Sequence, residues 1–240
     1  MINTLKVIYR RQAFFPSILG LFINPFYIAR KGLLKNISEL SLQLHGKLLD
    51  VGCGTKPYEE LFSVDAYIGL DLDSEASRVR GVADYFYDGN IFPFEDNEFD
   101  SLLCNQVLEH VFNPDEFLGE LRRVLKPNGK LLLTVPFVWD EHEQPYDYAR
   151  YSSFGLISLF ENNGFKIVKH NKGGADVSVI FQLINAYIYK ITSGLSKPFR
   201  ALVMLSIMAP INVLSLMLSK ILPKNPDLYL DHIVIVEKIS

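Results

Sequence analysis

Leu48-Leu49-Asp50-Val51-Gly52-Cys53-Gly54-Thr55, followed by Tyr67-Ile68-Gly69-Leu70-Asp71-Leu72-Asp73, decides how this chain is read. Each half has the apolar run of a buried strand. The first breaks into glycines, which let the backbone turn sharply and approach a ligand with no Cβ in the way. The second ends in a carboxylate, placed to accept hydrogen bonds from the two hydroxyls of a ribose. Together they predict a nucleoside-cofactor site at the carboxyl ends of parallel strands.

The dinucleotide and nucleotide-triphosphate versions of that site fail on the residues. Gly54 is followed by Thr55, Lys56, Pro57 and Tyr58, so the third glycine of Gly-x-Gly-x-x-Gly is missing, and no Gly-Lys-Ser/Thr follows. Further along, Asn113-Pro114 suits an N-cap and first helical position, with Asp115 and Glu116 favoured by the helix dipole. Phe117, Leu121, Val124 and Leu125 then recur at helical spacing. Pro127-Asn128-Gly129 is expected to stop that helix and turn into Leu131-Leu132-Leu133, a strand buried on both faces. Ser152 or Ser153 can cap another helix carrying Leu156, Leu159 and Phe160, closed by Asn163-Gly164. Strands alternating with helices predict an α/β, Rossmann-like doubly wound sheet, mostly parallel with an antiparallel last strand. Phe165–Lys169 and His232–Lys238 are the expected final strands, with an apolar helical insertion between them.

Five segments, in order, resemble one family. Asp50-Val51-Gly52-Cys53-Gly54 is similar to motif I of the class I S-adenosylmethionine-dependent methyltransferases, hydrophobic-Asp/Glu-x-Gly-x-Gly. Asp71 follows at the end of the second strand, and Asp88-Gly89 falls five residues before Pro93-Phe94, as in the family's third-strand region. Phe99 to Val111, with Asn105 and Leu108-Glu109-His110, resembles the fourth strand and next helix of the ubiquinone-biosynthesis-like, type 11 subfamily; Leu121 to Pro136 resembles the following helix, turn and fifth strand. The resemblance covers Gly46 to about Lys169 and a last strand near Asp231 to Lys238. It implies S-adenosyl-L-methionine as cofactor and S-adenosyl-L-homocysteine as product. It further implies that Asp50, Gly52, Cys53 and Gly54 hold the methionine part, Asp71 the ribose, Asp88 and Gly89 the adenine side, and that Asn105 lines the pocket near the sulfonium. Lys56 stands where the motif has its third glycine, a departure in the path of that loop.

At 240 residues the chain holds one α/β domain with extra segments. Its apolar fraction of 49% is high for a soluble enzyme. Cys53 and Cys104 both fall at strand ends without metal-ligand neighbours, so neither a disulfide framework nor a metal site is expected. Net charge is −3, but the charge is uneven: from Met1 to His45 six Lys or Arg face one acid, and from Asp176 to Pro226 five face one, while Asp50 to Asp100 is acidic. Residues 1–45 are therefore expected to form a basic, apolar helical arm. Residues 46–240 form the catalytic domain, with 176–226 as the insertion. Two basic, apolar segments around an acidic core suggest attraction to an anionic membrane surface.

Within the insertion, Val177–Ile191 and Ala201–Leu222 are expected to form two helices joined near Gly194–Phe199. Asn212, Ser215 and Ser219 share one face of the second, which is long enough to span a bilayer. A single span would strand the final β-strand on the wrong side. Interfacial or re-entrant attachment is therefore preferred over a transmembrane hairpin, a substrate lid or a dimer surface. Phe14-Phe15-Pro16 and Phe22 to Tyr27 fit interfacial anchoring. The arm has no clean small-residue cleavage site and is not expected to be a signal peptide.

Acceptor chemistry points to Asp140-Glu141-His142-Glu143-Gln144-Pro145-Tyr146-Asp147-Tyr148-Ala149-Arg150-Tyr151-Ser152. This run resembles the His-x-x-Pro-x-Asp-x-x-Arg-Tyr-Ser/Thr segment of methyltransferases encoded among bacterial surface-polysaccharide functions. His142 is the candidate base, because histidine titrates near neutrality without a large shift. Asp147 is a further candidate, and His110 beside Glu109 a second candidate base; the plainer reading is that His142 and Asp147 orient the loop, with Arg150 as an internal ion-pair partner, and that His110 caps or packs a helix start. The expected activity is O-methylation of a lipid-linked or cell-surface glycan precursor, in the cytoplasm at the inner face of the cytoplasmic membrane. The rivals are methylation of a quinone-like or lipid acceptor, and an inactive cofactor-binding interaction module. Nucleic acid is not an expected partner, since no basic stripe borders the acidic core. A homodimer stays open.

Overall fold

A computed structural model describes residues 2–239. Its seven strands are β1 (Lys47–Val51), β2 (Ala66–Leu72), β3 (Tyr85–Tyr87), β4 (Phe99–Asn105), β5 (Leu125–Pro136), β6 (Phe165–Gly173) and β7 (Asp231–Lys238). They form one sheet in the order β3-β2-β1-β4-β5-β7-β6. The sheet is mostly parallel with antiparallel last strands, as the sequence predicts. Strands inside such a sheet are covered on both faces and must be apolar throughout. Leu48, Leu49 and Val51 of β1, Leu102 to Cys104 of β4 and Leu131 to Leu133 of β5 are accordingly buried. Parallel register sets Val51 opposite both Leu70 and Cys104, and Leu72 opposite Tyr87. The carboxyl ends of β1 to β4 therefore finish along one edge.

The helices number α1 (Ile2–Phe14), α2 (Gly20–Ile23), α3 (Tyr27–Ser41), α4 (Glu75–Arg80), α5 (Pro114–Val124), α6 (Ser153–Asn162), α7 (Ser178–Ile191), α8 (Lys197–Val203) and α9 (Ala209–Ile221). Phe117, Leu121 and Val124 of α5 and Leu156 and Phe160 of α6 join the strand residues in one core. Each such side chain contributes roughly 1.5–3 kcal/mol on burial.

Three local expectations need adjustment, and one open choice is settled. Asn113 holds the N-cap position of α5 but makes no capping bond; its amide turns instead to Glu116 Oε2 at 3.2 Å. Extended backbone begins at Leu125, before the Pro127–Gly129 turn, because Leu125 already pairs with Phe99 ahead of a register shift. Strand β6 runs on to Gly173, beyond the expected Lys169. Ser152 rather than Ser153 caps α6, accepting from Gly155 N at 3.2 Å.

Residues group into two compact units: 36–137, 141–171 and 232–240, which carry most of the sheet, and 1–35, 138–140 and 172–231, which are mainly helical. In the helical unit the second insertion helix begins at Lys197, earlier than the expected Ala201. Pro198 sits in its first turn, where a missing N–H costs nothing. The helix passes through a π-turn at Met204–Met208 before Pro210. A proline inside a helix removes one backbone donor and crowds the preceding turn, and widening that turn relieves the crowding.

This unit buries four polar side chains beside its apolar core of Tyr27, Ile28, Val179, Met208 and Leu230, and it also carries a broad apolar surface. Gln182, Asn185, Asn212 and Ser215 are fully buried. Gln182 Oε1 accepts from Ile28 N and Ala29 N, both at 3.1 Å, and its amide donates to Pro25 O at 3.0 Å. Asn185 Nδ2 donates to Asn212 Oδ1 at 2.9 Å, and Asn212 Nδ2 donates to Leu21 O at 3.0 Å. Ile184, Tyr187, Leu205, Val213, Met217 and Ile221 meanwhile lie on the outside. From Lys197 to Ile221 the helix has 25 residues, with a mean hydropathy of 2.2 over its most apolar 18, so by length and composition it could cross a membrane.

Candidate cofactor and acceptor site

At the end of β1 the chain folds over β2: the N–H groups of Gly52 and Cys53 both donate to Leu70 O, at 2.8 and 3.0 Å. Gly52 has φ +72°, and a Cβ there would run into Val107. Gly54 has φ +53° with no atom within 4 Å of where its Cβ would be, so an open cradle lies beside the turn. Lys56, in place of a third glycine, adopts the left-handed backbone a glycine would take, at φ +48°. Its ammonium reaches Asp84 Oδ2 at 2.6 Å, and the same oxygen accepts from Gly69 N at 2.7 Å. A Cβ on Gly69 would strike the Lys56 stem and Cys53 Sγ, which explains a glycine in mid-strand.

Asp50 is buried and accepts from the Tyr67 hydroxyl at 2.7 Å. Burial pushes its carboxyl up to about 7, against the opposing pull of the Tyr67 bond. Burial likewise pushes the Cys53 thiol up to about 12. Cys53 therefore packs rather than reacts. Asp71 ends β2 nearly buried, with Oδ1 accepting from Leu72 N at 2.9 Å and Oδ2 facing Arg80 Nη2 at 3.0 Å. Asp88, at the end of β3, accepts from Asn90 N at 2.9 Å, and that bond holds its carboxyl below the usual range. Gly89 follows at φ +97°, where an added Cβ would come within 3.4 Å of Leu72 Cδ1. Asn105 Oδ1, at the end of β4, accepts from the Thr134 hydroxyl at 2.8 Å. All eight expected cofactor residues thus stand at the carboxyl ends of β1 to β4. The open cradle at Gly54, a buried carboxyl for an ammonium group and a second carboxyl for ribose hydroxyls fit S-adenosylmethionine.

Acceptor-side residues come from two segments stitched together. After β4, Leu108–His110 forms one tight turn in which Glu109 is fully buried. The Glu109 carbonyl accepts from Tyr148 N at 2.8 Å and Ala149 N at 3.2 Å, and His110 Nδ1 meets Tyr146 O at 2.8 Å. These bonds draw the loop after β5 over the turn, so that the His110 and His142 rings lie 4.9 Å apart. His142 Nδ1 is 3.2 Å from Asp147 Oδ2, which also accepts from His142 N at 2.9 Å. Arg150 grips Asp147 with two bonds, at 2.6 and 2.7 Å. That guanidinium holds the Asp147 carboxyl down to about 2. Asp147 is thus an ion-paired positioning residue for His142. The structure brings His142, Asp147 and His110 to one place and adds Glu109, Arg80 and Lys56, to which the sequence assigns no role in the site. The only available signal for Glu109 was its position beside His110.

A glycine turn and terminal carboxylates on a doubly wound sheet define a class I, S-adenosylmethionine-dependent methyltransferase fold. Residues 49–133 match the type 11 methyltransferase-domain model. An uncharacterised protein of Methanocaldococcus jannaschii is 33% identical over 165 residues, covering 65% of this chain and 72% of that protein. The ubiquinone/menaquinone biosynthesis C-methyltransferase UbiE of Burkholderia mallei is 29% identical over 126 residues, and the match spans 46% of this chain and 52% of UbiE. In fold, the chain is similar to a putative sarcosine dimethylglycine methyltransferase from Galdieria sulphuraria, with TM-score 0.55, 20% identity and coverage of 88% and 86%. The chain belongs to the type 11 family of S-adenosylmethionine-dependent methyltransferases, and its cofactor is S-adenosylmethionine.

Proposed function

We propose that this chain O-methylates a lipid-linked or cell-surface glycan precursor at the inner face of the cytoplasmic membrane. The observation that supports attachment to a membrane is the apolar surface of the helical unit, where Ile184, Tyr187, Leu205, Met217 and Ile221 are exposed. Water disfavours that arrangement, whereas a lipid interface stabilises it. Lys190, Lys197, Arg200, Lys220 and Lys224 in the same unit suit anionic headgroups. Attachment would keep the catalytic unit at the surface where lipid-linked acceptors reside.

Bound S-adenosylmethionine supplies an electrophilic methyl group and leaves as S-adenosylhomocysteine. The chain must then align a hydroxyl with that methyl and remove its proton. His142 Nδ1 lies between Asp147 Oδ2 at 3.2 Å and Arg150 Nη2 at 3.4 Å, and in the tautomer that donates from Nδ1 to Asp147 the ring offers the Nε2 lone pair to the hydroxyl proton. Asp147 stabilises the imidazolium so formed.

A second reading has one specific support. UbiE is named for a quinone-biosynthesis C-methyltransferase, which favours a ring-carbon acceptor in an apolar setting. Radiolabelled S-adenosylmethionine, incubated with the protein and isolated bacterial membranes, separates the two. Label in a glycolipid fraction, released with the sugar on mild acid hydrolysis, supports the glycan acceptor. Label in the quinone fraction transfers the assignment, and label in neither overturns both.

A further inference from the structure

We propose that Glu109, His110 and His142 form a binding site for a divalent transition-metal ion of the zinc, iron or cobalt type. The sequence reading expects no metal, because neither cysteine has metal-ligand neighbours, and His142 lies more than thirty positions from Glu109 and His110. In the fold, one ligand atom from each lies within 4.8 Å of the other two. Two ligands about 2.1 Å from one tetrahedral ion sit about 3.4 Å apart, so the widest separation closes by about 1.4 Å as the side chains rotate onto the ion.

The surroundings of the two rings supply a second, independent argument. A metal-binding imidazole commonly donates its other N–H to a carbonyl or carboxylate, which fixes the tautomer and raises the basicity of the ligating nitrogen. His110 has Tyr146 O at 2.8 Å from Nδ1, and His142 has Asp147 Oδ2 at 3.2 Å. The His110 ring thereby carries its lone pair on Nε2, while His142 Nδ1 sits between Asp147 Oδ2 at 3.2 Å and Arg150 Nη2 at 3.4 Å, which hold the ring in place. Arg150 fixes Asp147 in turn, and the Glu109 carbonyl is tied to the loop that bears His142. Two imidazoles and one carboxylate suit zinc, iron or cobalt better than magnesium or calcium, which prefer all-oxygen shells. Burial of Glu109 puts the charge-neutralising ligand at the bottom, with half-buried His110 and His142 above it.

Three protein ligands leave at least one position for an oxygen of the acceptor. A hydroxyl placed there is more acidic than a free one and can release its proton to solvent water. In the loaded enzyme His142 then acts as a ligand, since a lone pair given to an ion cannot also take a proton. The inference rests on the methyltransferase reading for what the ion does; whether the ion binds is a separate matter.

Full-length protein, stripped of metal with a chelator, would be titrated with Zn²⁺ by calorimetry and with Co²⁺ by visible absorption. S-adenosylmethionine binding would be measured on the same samples. The expected result is one equivalent of each ion, the Co²⁺ complex showing the intense bands of low coordination number, and Mg²⁺ failing to compete. His110→Ala, His142→Ala and Glu109→Gln should each weaken Zn²⁺ binding at least about tenfold. Should buried Glu109→Gln fail to fold, the half-buried His142→Ala still decides the matter, with retained S-adenosylmethionine binding as the proof of folding. No saturable ion binding by wild-type protein that binds S-adenosylmethionine, or binding untouched by the histidine variants, overturns the site. Loss of S-adenosylmethionine binding with ion binding intact would instead count against the cofactor reading alone.

Discussion

Arg80 Nη2 lies 3.0 Å from Asp71 Oδ2, so the carboxylate assigned to the cofactor ribose is held by a guanidinium from the next helix. The ribose must displace Arg80 or share Asp71 with it. Arg80 is well exposed, at 40% of its side-chain surface, so the pair is worth little and yields easily. Asp71→Ala should weaken S-adenosylmethionine binding by about tenfold to a hundredfold, the loss of two hydrogen bonds to a charged group. Arg80→Ala should leave affinity equal or a few-fold tighter. Calorimetry on both variants checks this, and an Arg80→Ala loss as large as that of Asp71→Ala would mean that Arg80 itself contacts the cofactor.

Asp50 makes cofactor affinity and stability respond to pH in opposite directions. Its folded pKa is raised to about 7 from 3.8 by burial, so between those values the folded chain holds a proton that the unfolded chain has lost. Stability from this group is therefore greatest below pH 4 and falls as pH rises toward 7, by on the order of 4 kcal/mol at most. The ammonium of the methionine part needs the ionised carboxylate, so affinity should rise from pH 6 to 8. Asp50→Asn should flatten both trends, raise the melting temperature at pH 8 and weaken S-adenosylmethionine. Calorimetry and thermal melts across that range provide the measurement.

Asp147 ties His142 to Arg150, and its side chain is almost entirely buried. Asp147→Asn removes one charge from a bidentate pair and leaves the guanidinium uncompensated, a loss of about 3 kcal/mol. The variant should melt lower and turn over more slowly, with S-adenosylmethionine affinity little changed because Asp147 lies apart from the β1 and β2 turns. Parallel losses of cofactor affinity and turnover would instead show that the loop shapes the cofactor pocket.

The buried carboxamides and the exposed apolar face of the helical unit predict two separable phenotypes. Asn212→Leu should destabilise that unit by about 2 kcal/mol, because the Asn185 amide and the Leu21 carbonyl lose a partner in a buried setting. Ile184→Ser combined with Met217→Ser alters only exposed positions, so folding should be unaffected. That double variant should nonetheless sediment less with anionic vesicles than wild type. Equal sedimentation would reject the lipid interface and return the apolar surface to a second copy of the chain.

Much of the catalytic sheet was legible because its signals are local. An apolar run ending in Gly52-x-Gly54 needs left-handed backbone at both glycines, and neighbouring residues alone impose that need. Asp71 was found by its place at a strand end, and Ser152 by its capping chemistry. Lys56 was less legible: nothing nearby says that a lysine will adopt φ +48° and cross Gly69 to reach Asp84. Insertion helices were found from their apolar length, yet their burial was not, since an amphipathic pattern does not say which face meets protein. Water would place Asn212 outside; the carbonyls of Leu21 and Asn24 hold it inside.

The sequence by itself determined the strand order's raw material, the glycine turn, the terminal carboxylates and the polar loop, because each depends on contacts between neighbours in the chain. Only the tertiary structure decided that Arg80 covers Asp71 and that Glu109 and His110 meet His142. Those relationships join residues brought together by strand register and loop closure, and their energies depend on distance in space.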